Sequence, residues 1–304
     1  MHRIESRGLP ERAGRPGLIW PVVGITACLA AAAVDALLVE PNTPVIERID
    51  VPIWELPSAL DGYRIAVLSD PHYPIWATRS LIRRAIALAN SVEPDIIAVP
   101  GDIVDRRWFM GSEVPSLAGV FDEAVARDGI VGVLGNHDYR FDHRQVREEI
   151  ARSMPIRLIE NTSLCIERDG GRMAIGGVGD LWRGEVRPDR AFAGVPAATP
   201  RLLISHNPDL ADQMPERIRV DLQVSGHTHG GQVCLPNGFA PHVPSRYGNR
   251  FRAGLVAGRR HRVYISRGIA STHGVRFCCR PEVTAITLRR SEDIRHAPWN
   301  MAEA

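Results

Sequence analysis

The chain has 304 residues, of which 44% are hydrophobic and 24% are charged. This is the composition of an ordinary globular protein, so it excludes a chain that is disordered throughout, a collagen and a multi-span membrane protein. Lysine and arginine together number 37 and the acidic residues 35, which gives a formal net charge of +2. A charge so close to balance gives no general signature of nucleic-acid binding.

The N-terminal segment, residues 1–40, combines a basic stretch with a long apolar run. No charged residue occurs from Pro16 to Val34, and the run ends at Asp35. About 20 apolar residues span a bilayer, whereas the apolar part of a signal peptide has about 7–15. The run therefore predicts a membrane anchor, with a long cleaved signal sequence as the second alternative. A lipoprotein signal is the third, because Ile25 to Cys28 resembles the sequence at a lipidated cysteine.

The charges before the apolar run predict its orientation. Four arginines precede the run, and only two acidic residues oppose them: Arg3, Arg7, Arg12 and Arg15 against Glu5 and Glu11. Positive charge beside an apolar span favours the cytoplasmic side, so we expect the N-terminus inside and the bulk of the chain outside the cytoplasm.

The rest of the chain is predicted to form one catalytic domain. Residues 41–60 are expected to be a linker and lead-in strand, because Pro41 to Pro44 has the composition of a linker. From 61 to 290, apolar runs of strand length alternate with loops and with helical periodicity, as in Thr78–Asn90. This alternation predicts an α/β domain, and residues 291–304 are expected to be a C-terminal tail.

Polar motifs follow five of the predicted strands. The motifs are Asp70-Pro71-His72, Gly101-Asp102-Ile103-Val104-Asp105, Gly135-Asn136-His137-Asp138, His206-Asn207 and Gly226-His227-Thr228-His229. Taken singly the motifs are weak signals, although Gly135–Asp138 is moderately specific and the motif from Gly226 more so, but all five directly after apolar runs are improbable by chance. Ligands of open α/β sheets collect at the carboxyl ends of strands, so the motifs predict one convergent site.

The side chains of these motifs indicate metal chemistry. Carboxylate, carboxamide and imidazole groups suit Mn, Fe or Zn. Cysteine takes no part in the motifs, which argues against a structural zinc site. The set is large enough for two metal ions with a bridging carboxylate, an arrangement that can clamp both oxygens of an in-line displacement.

The order of the motifs from Asp70 to His229 resembles that of the calcineurin-like metallophosphoesterases. Gly177–Trp182, Ser205–Asp209 and Arg276–Glu282 also resemble the YaeI/YkuE-type bacterial branch, so the resemblance covers most of 62–288. It implies a four-layer αββα sandwich and a hydrolase of phosphoric diesters or pyrophosphates. Pro71 departs from the family, which usually has an apolar residue there, but leaves Asp70 and His72 available.

The resemblance also implies a role for each motif residue. Two divalent ions, Mn²⁺, Fe²⁺/Fe³⁺ or Zn²⁺, would be held by Asp70, His72 and His229 on one side, by Asn136, His206 and His227 on the other, and by Asp102 as the bridge. A metal-bridging hydroxide would attack phosphorus, and His137 would protonate the leaving oxygen. Asp138 is expected to orient the imidazole of His137, and Asp105 to lie behind the metal ligands.

Several residues outside the motifs are weaker candidates. Tyr73, Trp76, Trp182 and Arg280 are expected to line a substrate pocket, with a structural role as the alternative for Trp182 and Arg280. His242, His261 and His273 are expected in loops or at the surface.

The favoured function is a phosphodiesterase anchored in a bacterial inner membrane, with a periplasmic catalytic domain and an envelope or lipid-linked substrate. No nucleic-acid binding is expected. One alternative is a UDP-2,3-diacylglucosamine pyrophosphohydrolase of lipid A synthesis, which the charge pattern disfavours because that reaction requires the cytoplasmic face. A non-catalytic metal-bound scaffold is disfavoured because His137 and every ligand position are present.

Overall fold

The computed structural model describes residues 19–105, 114–140 and 142–293. The basic segment at 1–18 and most of the predicted C-terminal tail, 294–304, lie outside these ranges. The α-helices are α1 (Ile19–Val34), α2 (Arg79–Asn90), α3 (Val114–Phe121), α4 (His143–Ser153) and α5 (Pro188–Ala191). The strands are β1 (Val45–Trp54), β2 (Arg64–Val67), β3 (Tyr73–Pro74), β4 (Ile96–Val99), β5 (Val104–Asp105), β6 (Ile130–Gly132), β7 (Ile156–Leu158), β8 (Ser163–Arg168), β9 (Gly171–Gly177), β10 (Arg201–Ile204), β11 (Leu222–Ser225), β12 (Gly254–Ala257), β13 (Arg262–Ile265) and β14 (Glu282–Ser291).

Most strands belong to two six-stranded sheets. The first has the order β1-β14-β2-β4-β6-β7, and β2, β4, β6 and β7 run parallel to one another. The second has the order β12-β13-β11-β10-β9-β8, with β13, β11, β10 and β9 parallel and the two outer strands antiparallel. β3 and β5 form a separate two-stranded ladder.

Apolar side chains from both sheets form the central core, in which Val67 and Ile286 of the first sheet meet Leu222 of the second. The outer face of the first sheet packs against α2, α3 and α4, and that of the second against α5 and the short helical turn Pro208–Asp212. The predicted four-layer αββα sandwich is therefore confirmed.

Local sequence explains why the helices lie where they do. In α2 the hydroxyl of Thr78 accepts a hydrogen bond from the backbone N–H of Leu81 at 3.2 Å, which caps the helix. Ile82, Ala85 and Ile86 follow at helical spacing and are buried against the sheet. The predicted helix Thr78–Asn90 differs from the observed one only by its capping residue.

The segment expected as a lead-in strand lies within the sheet. β1 pairs in parallel with β14 along ten residues, from Val45 beside Glu282 to Trp54 beside Ser291. Val51 and Ile53 of β1 are fully buried. A division between linker and domain at residue 60 stays a prediction, but the first sheet includes residues on both sides of it.

An exposed apolar helix precedes β1. From Pro21 to Asn42 the helical chain is long and apolar enough to cross a membrane, and none of it is buried in the most apolar window. Its last part changes from α-helix to a π-helical turn, Asp35–Val39, and a 3₁₀ turn, Glu40–Asn42. Glu40 is buried against the domain, so the end of the helix is fixed to it.

Candidate metal centre

The motif residues meet where the parallel strands of both sheets end. The backbone N–H of Asp70, after β2, donates to the carbonyl of Gly101, after β4, at 3.2 Å. The N–H of His227, after β11 in the second sheet, donates to the Asp70 carboxylate at 3.1 Å. The loops of the two sheets are thereby joined into one site.

The backbone at this site adopts an uncommon conformation. Five of the motif residues have positive φ angles between 45° and 72°: Asp70, His72, Asp102, His227 and His229. Non-glycine residues seldom occupy this left-handed region, and such residues cluster at functional sites. The sharp turns aim each side chain at the space beyond the strand ends.

One group of side chains consists of Asp70, His72 and His229, each able to offer one ligand atom to a common point. The Nε2 atoms of His72 and His229 are 3.1 Å apart. Asp70 Oδ1 lies 3.8 Å from the Nε2 of His72 and 3.7 Å from that of His229.

A second group lies beside it and shares Asp102. Asp102 Oδ2 is 3.4 Å from the Nε2 of His72 in the first group and 3.2 Å from the Nε2 of His206 in the second. The Nε2 of His206 is in turn 3.0 Å from Asn136 Oδ1 and 3.1 Å from His227 Nδ1. Asp102 is thus the one side chain that faces both groups among the described residues.

Backbone contacts fix the orientation of the central side chains. The Nδ1 of His206 lies 2.8 Å from the carbonyl oxygen of Pro100, and the Nδ1 of His229 lies 3.2 Å from that of Ala270. A carbonyl can only accept, so each Nδ1 carries a proton and each Nε2 is the ring atom turned toward the site. The other oxygen of Asp102, Oδ1, accepts from the N–H of His137 at 2.7 Å.

Two glycines leave the space that the carboxylates occupy. A Cβ atom at Gly135 would overlap the Asp102 carboxylate, and one at Gly226 would overlap that of Asp70. These glycines belong to the motifs Gly135-Asn136-His137-Asp138 and Gly226-His227-Thr228-His229, so close packing against the site accounts for them.

The acid that contacts His137 differs from the one expected. Asp105 Oδ2 lies 2.9 Å from His137 Nδ1 and 3.6 Å from His72 Nδ1. Asp138 instead accepts backbone N–H bonds from Gly135 at 2.8 Å and Val104 at 2.9 Å. The expectation that Asp138 orients the imidazole is therefore corrected: Asp105 has that place, and Asp138 holds two loops together. The correction arises because β5 pairs with β3, which brings Asp105 into the site.

Burial and neighbouring charges shift the pKa values of the buried histidines in opposite directions. Burial and, after it, the neighbouring His206 lower the pKa of His227 to about 3. Burial also acts to lower the pKa of His206, but the carboxylates of Asp102 and Asp70 outweigh it and raise that pKa to about 10. Burial and repulsion by Asp102 raise the pKa of Asp138 to about 7.

An open cavity of about 340 Å³ lies over the two groups. Trp76 and Trp182 line it as expected, and His137 lies on its wall with 19% of its side chain exposed. Tyr73 is buried elsewhere, where its hydroxyl accepts from Ser116, and Arg280 lines a separate surface depression. Tyr73 and Arg280 were expected in the substrate pocket, but neither is among the residues that line this cavity.

The three histidines outside the motifs differ in where they lie. His242 and His273 belong to loops, as expected, and also line the cavity. His261, expected at the surface, is buried, and its Nε2 lies 2.9 Å from Gln223 Oε1. Arg140 and Gln232 also line the cavity and were not anticipated, although both lie within three residues of a motif.

The fold and the site find a counterpart among known proteins. Residues 63–231 match the family model described as calcineurin-like phosphoesterase. The chain is 34% identical to Phosphodiesterase YaeI of Escherichia coli over 229 residues, which cover 74% of this chain and 82% of the relative. The chain belongs to the calcineurin-like phosphoesterase family. It is accordingly a metallophosphoesterase, a hydrolase of phosphoric esters, as the motifs predicted.

Two further relatives have informative names. A Transmembrane protein with metallophosphoesterase domain of Danio rerio is 28% identical over 276 residues, covering 86% of this chain and 61% of the relative. UDP-2,3-diacylglucosamine pyrophosphatase LpxG of Chlamydia trachomatis is 26% identical over 326 residues, covering 86% of this chain and 96% of the relative. These relatives extend the similarity beyond the region of the family model.

Proposed function

We propose that this chain is a phosphodiesterase that uses two divalent metal ions. The observation that carries the proposal is the pair of buried side-chain groups that share Asp102. The facing atoms are carboxylate and amide oxygens and imidazole nitrogens, which are ligand types that a divalent cation takes. The carbonyl contacts at the Nδ1 atoms of His206 and His229 leave the Nε2 atom of each ring facing the site.

The distances fit metal ligands. Ligands at about 2.0–2.2 Å from one ion, at right angles to each other, lie about 3 Å apart. The Nε2 of His206 is 3.0–3.2 Å from atoms of Asn136, His227 and Asp102. We assign one ion to Asp70, His72 and His229, a second to Asn136, His206 and His227, and Asp102 to both. Mn²⁺, Fe²⁺/Fe³⁺ and Zn²⁺ all suit this donor set.

Metal ions bound here would supply Lewis acidity toward the phosphoryl oxygens and would activate the attacking water. The chain's own residues then control the leaving group. His137 lines the cavity, and its Nδ1 is held by Asp105, so its Nε2 is the atom available to protonate the leaving oxygen. Asp105 is a positioning residue, because it also accepts from the indole N–H of Trp76 at 3.0 Å and thereby fixes the cavity wall.

The name of the Escherichia coli relative favours diesters over monoesters. In addition, Trp76 and Trp182 both line the cavity beside the histidines, with the Trp182 ring 4.3 Å from that of His227. Apolar rings at these places suit a substrate that carries an organic group on each side of the phosphate.

The test uses the purified full chain in detergent, stripped of metal and reloaded separately with Mn²⁺, Fe²⁺ and Zn²⁺. We expect metal-dependent hydrolysis of bis-p-nitrophenyl phosphate to exceed that of p-nitrophenyl phosphate. Faster hydrolysis of the monoester would contradict a phosphodiesterase. No hydrolysis of either ester with metal bound, between pH 5 and pH 9, would leave the metal-bound scaffold as the better description.

We also propose that the N-terminal helix anchors the protein in a bacterial inner membrane, with the catalytic domain on the periplasmic side. The apolar length of Pro21–Asn42 and the transmembrane relative support the anchor, and the preceding arginines support the orientation. A phosphatase reporter fused to the C-terminus should be active. N-terminal sequencing of the mature protein distinguishes the anchor from a cleaved signal or a lipoprotein.

The similarity to LpxG supports a second candidate, hydrolysis of the pyrophosphate of UDP-2,3-diacylglucosamine. That reaction belongs on the cytoplasmic face, so it makes the opposite prediction for the C-terminal reporter. Release of UMP from UDP-2,3-diacylglucosamine by the purified protein, together with an inactive reporter, would favour this candidate over the periplasmic diesterase.

A further inference from the structure

A loop beside the cavity presents apolar side chains to solvent. In loop 233–239, the side chains of Val233, Leu235 and Phe239 are 43%, 49% and 50% exposed. Single exposed apolar residues are common on proteins, but three within seven residues form a patch that indicates an interaction site.

The loop is ordered by its own hydrogen bonds. The N–H of Leu235 donates to the carbonyl of Phe239 at 2.8 Å, and the N–H of Gly238 donates to that of Leu235 at 2.8 Å. Beneath the loop, Cys234 and Ala240 are buried against Cys279 in a small apolar cluster. The neighbouring side chains are thus packed inward while the three apolar ones are held outward.

The loop is bonded to the same segment that holds the end of the N-terminal helix. Segment 275–279 pairs with the loop, because the N–H of Cys234 donates to the carbonyl of Phe277 at 2.8 Å. The N–H of Arg276 donates to the carbonyl of Ala36 at 3.0 Å, and that of Cys278 donates to the Glu40 carboxylate at 2.9 Å. Segment 275–279 therefore fixes the position of the loop relative to the end of the N-terminal helix.

The end of the helix is apolar and exposed as well. Leu37, Leu38 and Val39 are half or more exposed although they follow Asp35, where the uncharged run stops. Arg280, exposed next to segment 275–279, donates from Nε to the carbonyl of Thr43 at 3.2 Å. An apolar surface with an exposed arginine suits the boundary between anionic headgroups and acyl chains.

We propose that loop 233–239 inserts into the bilayer that the N-terminal helix crosses and forms a second membrane contact. The proposal rests on the proposed anchor, because continuity with a membrane-crossing helix is what selects lipid rather than protein as the partner. Gln232, directly before the loop, and His273, two residues before segment 275–279, both line the cavity. The contact consequently brings the mouth of the catalytic cavity against the membrane surface.

Spin-label accessibility in the full chain tests the proposal. Cys28, Cys165 and Cys278 are exposed and are first replaced by serine, while the buried Cys234 and Cys279 remain. A nitroxide is then attached at Leu235→Cys, or at Phe239→Cys as a second site, and the protein is placed in nanodiscs of phosphatidylcholine and phosphatidylglycerol. Val125→Cys is the matched control, because Val125 is 67% exposed and precedes the N-terminal end of β6, whereas the cavity lies at the C-terminal ends of the parallel strands.

We expect the labels at 235 and 239 to collide more with apolar oxygen than with water-soluble Ni-EDDA, and the label at 125 to show the reverse. Equal preference for Ni-EDDA at all three positions would overturn the membrane contact. Shielding of 235 and 239 from both reagents would also overturn it, in favour of a protein partner.

Two controls separate this proposal from those on which it depends. Hydrolysis of bis-p-nitrophenyl phosphate with Mn²⁺ in the same samples reports on the proposed activity and does not require the loop. A failure of that hydrolysis with membrane-inserted labels would contradict the phosphodiesterase and leave the membrane contact standing. Loss of the helix by cleavage, read from the N-terminal sequence, would contradict the anchor itself.

Discussion

Two buried polar clusters lie side by side in this protein and differ in how their hydrogen bonds are satisfied. Arg276, fully buried, donates to the Ser271 hydroxyl at 3.0 Å and to five backbone carbonyls: those of Arg267, Gly268, Ala270, His229 and Cys279. The side chains of the candidate metal centre instead bring oxygen and imidazole nitrogen atoms within 3.0–3.8 Å of one another. Within the described residues, the first cluster is complete as it stands, whereas the second calls for cations.

This difference indicates that the Arg276 cluster stabilises the fold and that the candidate metal centre binds a ligand. A buried group whose partners are all present stabilises the fold, because removing it leaves other groups unsatisfied. A buried cluster whose side chains turn potential ligand atoms toward a common point is held in place by the rest of the protein and is available to a ligand. The two clusters meet at His229, whose carbonyl accepts from Arg276 at 3.3 Å while its imidazole faces Asp70.

The largest effect on activity is expected from Asp102→Asn. Asp102 faces both groups, so the variant should bind less metal and lose more than about 10³-fold in kcat/KM, which corresponds to about 4 kcal/mol of transition-state stabilisation. Metal content by mass spectrometry and hydrolysis of bis-p-nitrophenyl phosphate measure the two effects. Asp221→Asn is the matched control, because the Asp221 carboxylate is buried but paired with Arg219 at 2.9 Å. Full metal content in the Asp102 variant would refute the shared-ligand assignment.

Next is His137→Ala, which should lower kcat by about 10²–10⁴-fold, the usual contribution of a general acid. Both metal ions should remain, because His137 is not among the proposed ligands and its backbone N–H bond to Asp102 persists in the variant. A substrate with a better leaving group should recover part of the lost rate. Unchanged sensitivity to the leaving group in this variant would argue against proton donation by His137.

A smaller effect is expected from Asp105→Asn, because Asp105 acts through His137 and His72. Mutation of a residue that orients a metal ligand typically lowers activity or metal affinity by about 10–100-fold. The readout that distinguishes orientation from simple stability is the pH profile, which should change in Asp105→Asn. The comparison variant Asp138→Asn should lose from the profile only the titration of Asp138 itself, whose pKa is about 7, and should keep the part due to His137. Its thermal stability should fall, because the Asp138 carboxylate accepts backbone bonds from two loops.

The smallest effect on the chemical step is expected from Arg276→Met, which breaks the completed cluster. The free energy of unfolding should fall by at least about 2 kcal/mol, because each buried carbonyl without a donor costs roughly 1–3 kcal/mol. Urea denaturation measures this loss. The folded fraction should retain most of its activity per bound metal ion; a loss as large as that of His137→Ala would mean that Arg276 belongs to the reaction.

The sequence by itself determined the fold class and the convergence of the motifs. Each motif follows an apolar run, and parallel strands deliver their carboxyl ends to one edge, so the convergence of Asp70, Asp102, Asn136, His206 and His227 could be predicted without coordinates. The helical period of Thr78–Asn90 was equally readable, since it depends on contacts within one short segment.

Only the tertiary structure decided the rest, because it depends on partners far apart in sequence. The pairing of β3 with β5 placed Asp105, and not the adjacent Asp138, on His137. β1 joined the sheet through β14, more than two hundred residues later, and burial of His261 depended on Gln223. The fixed relation between the helix end and loop 233–239 likewise depends on backbone hydrogen bonds, which carry no signature in side-chain pattern.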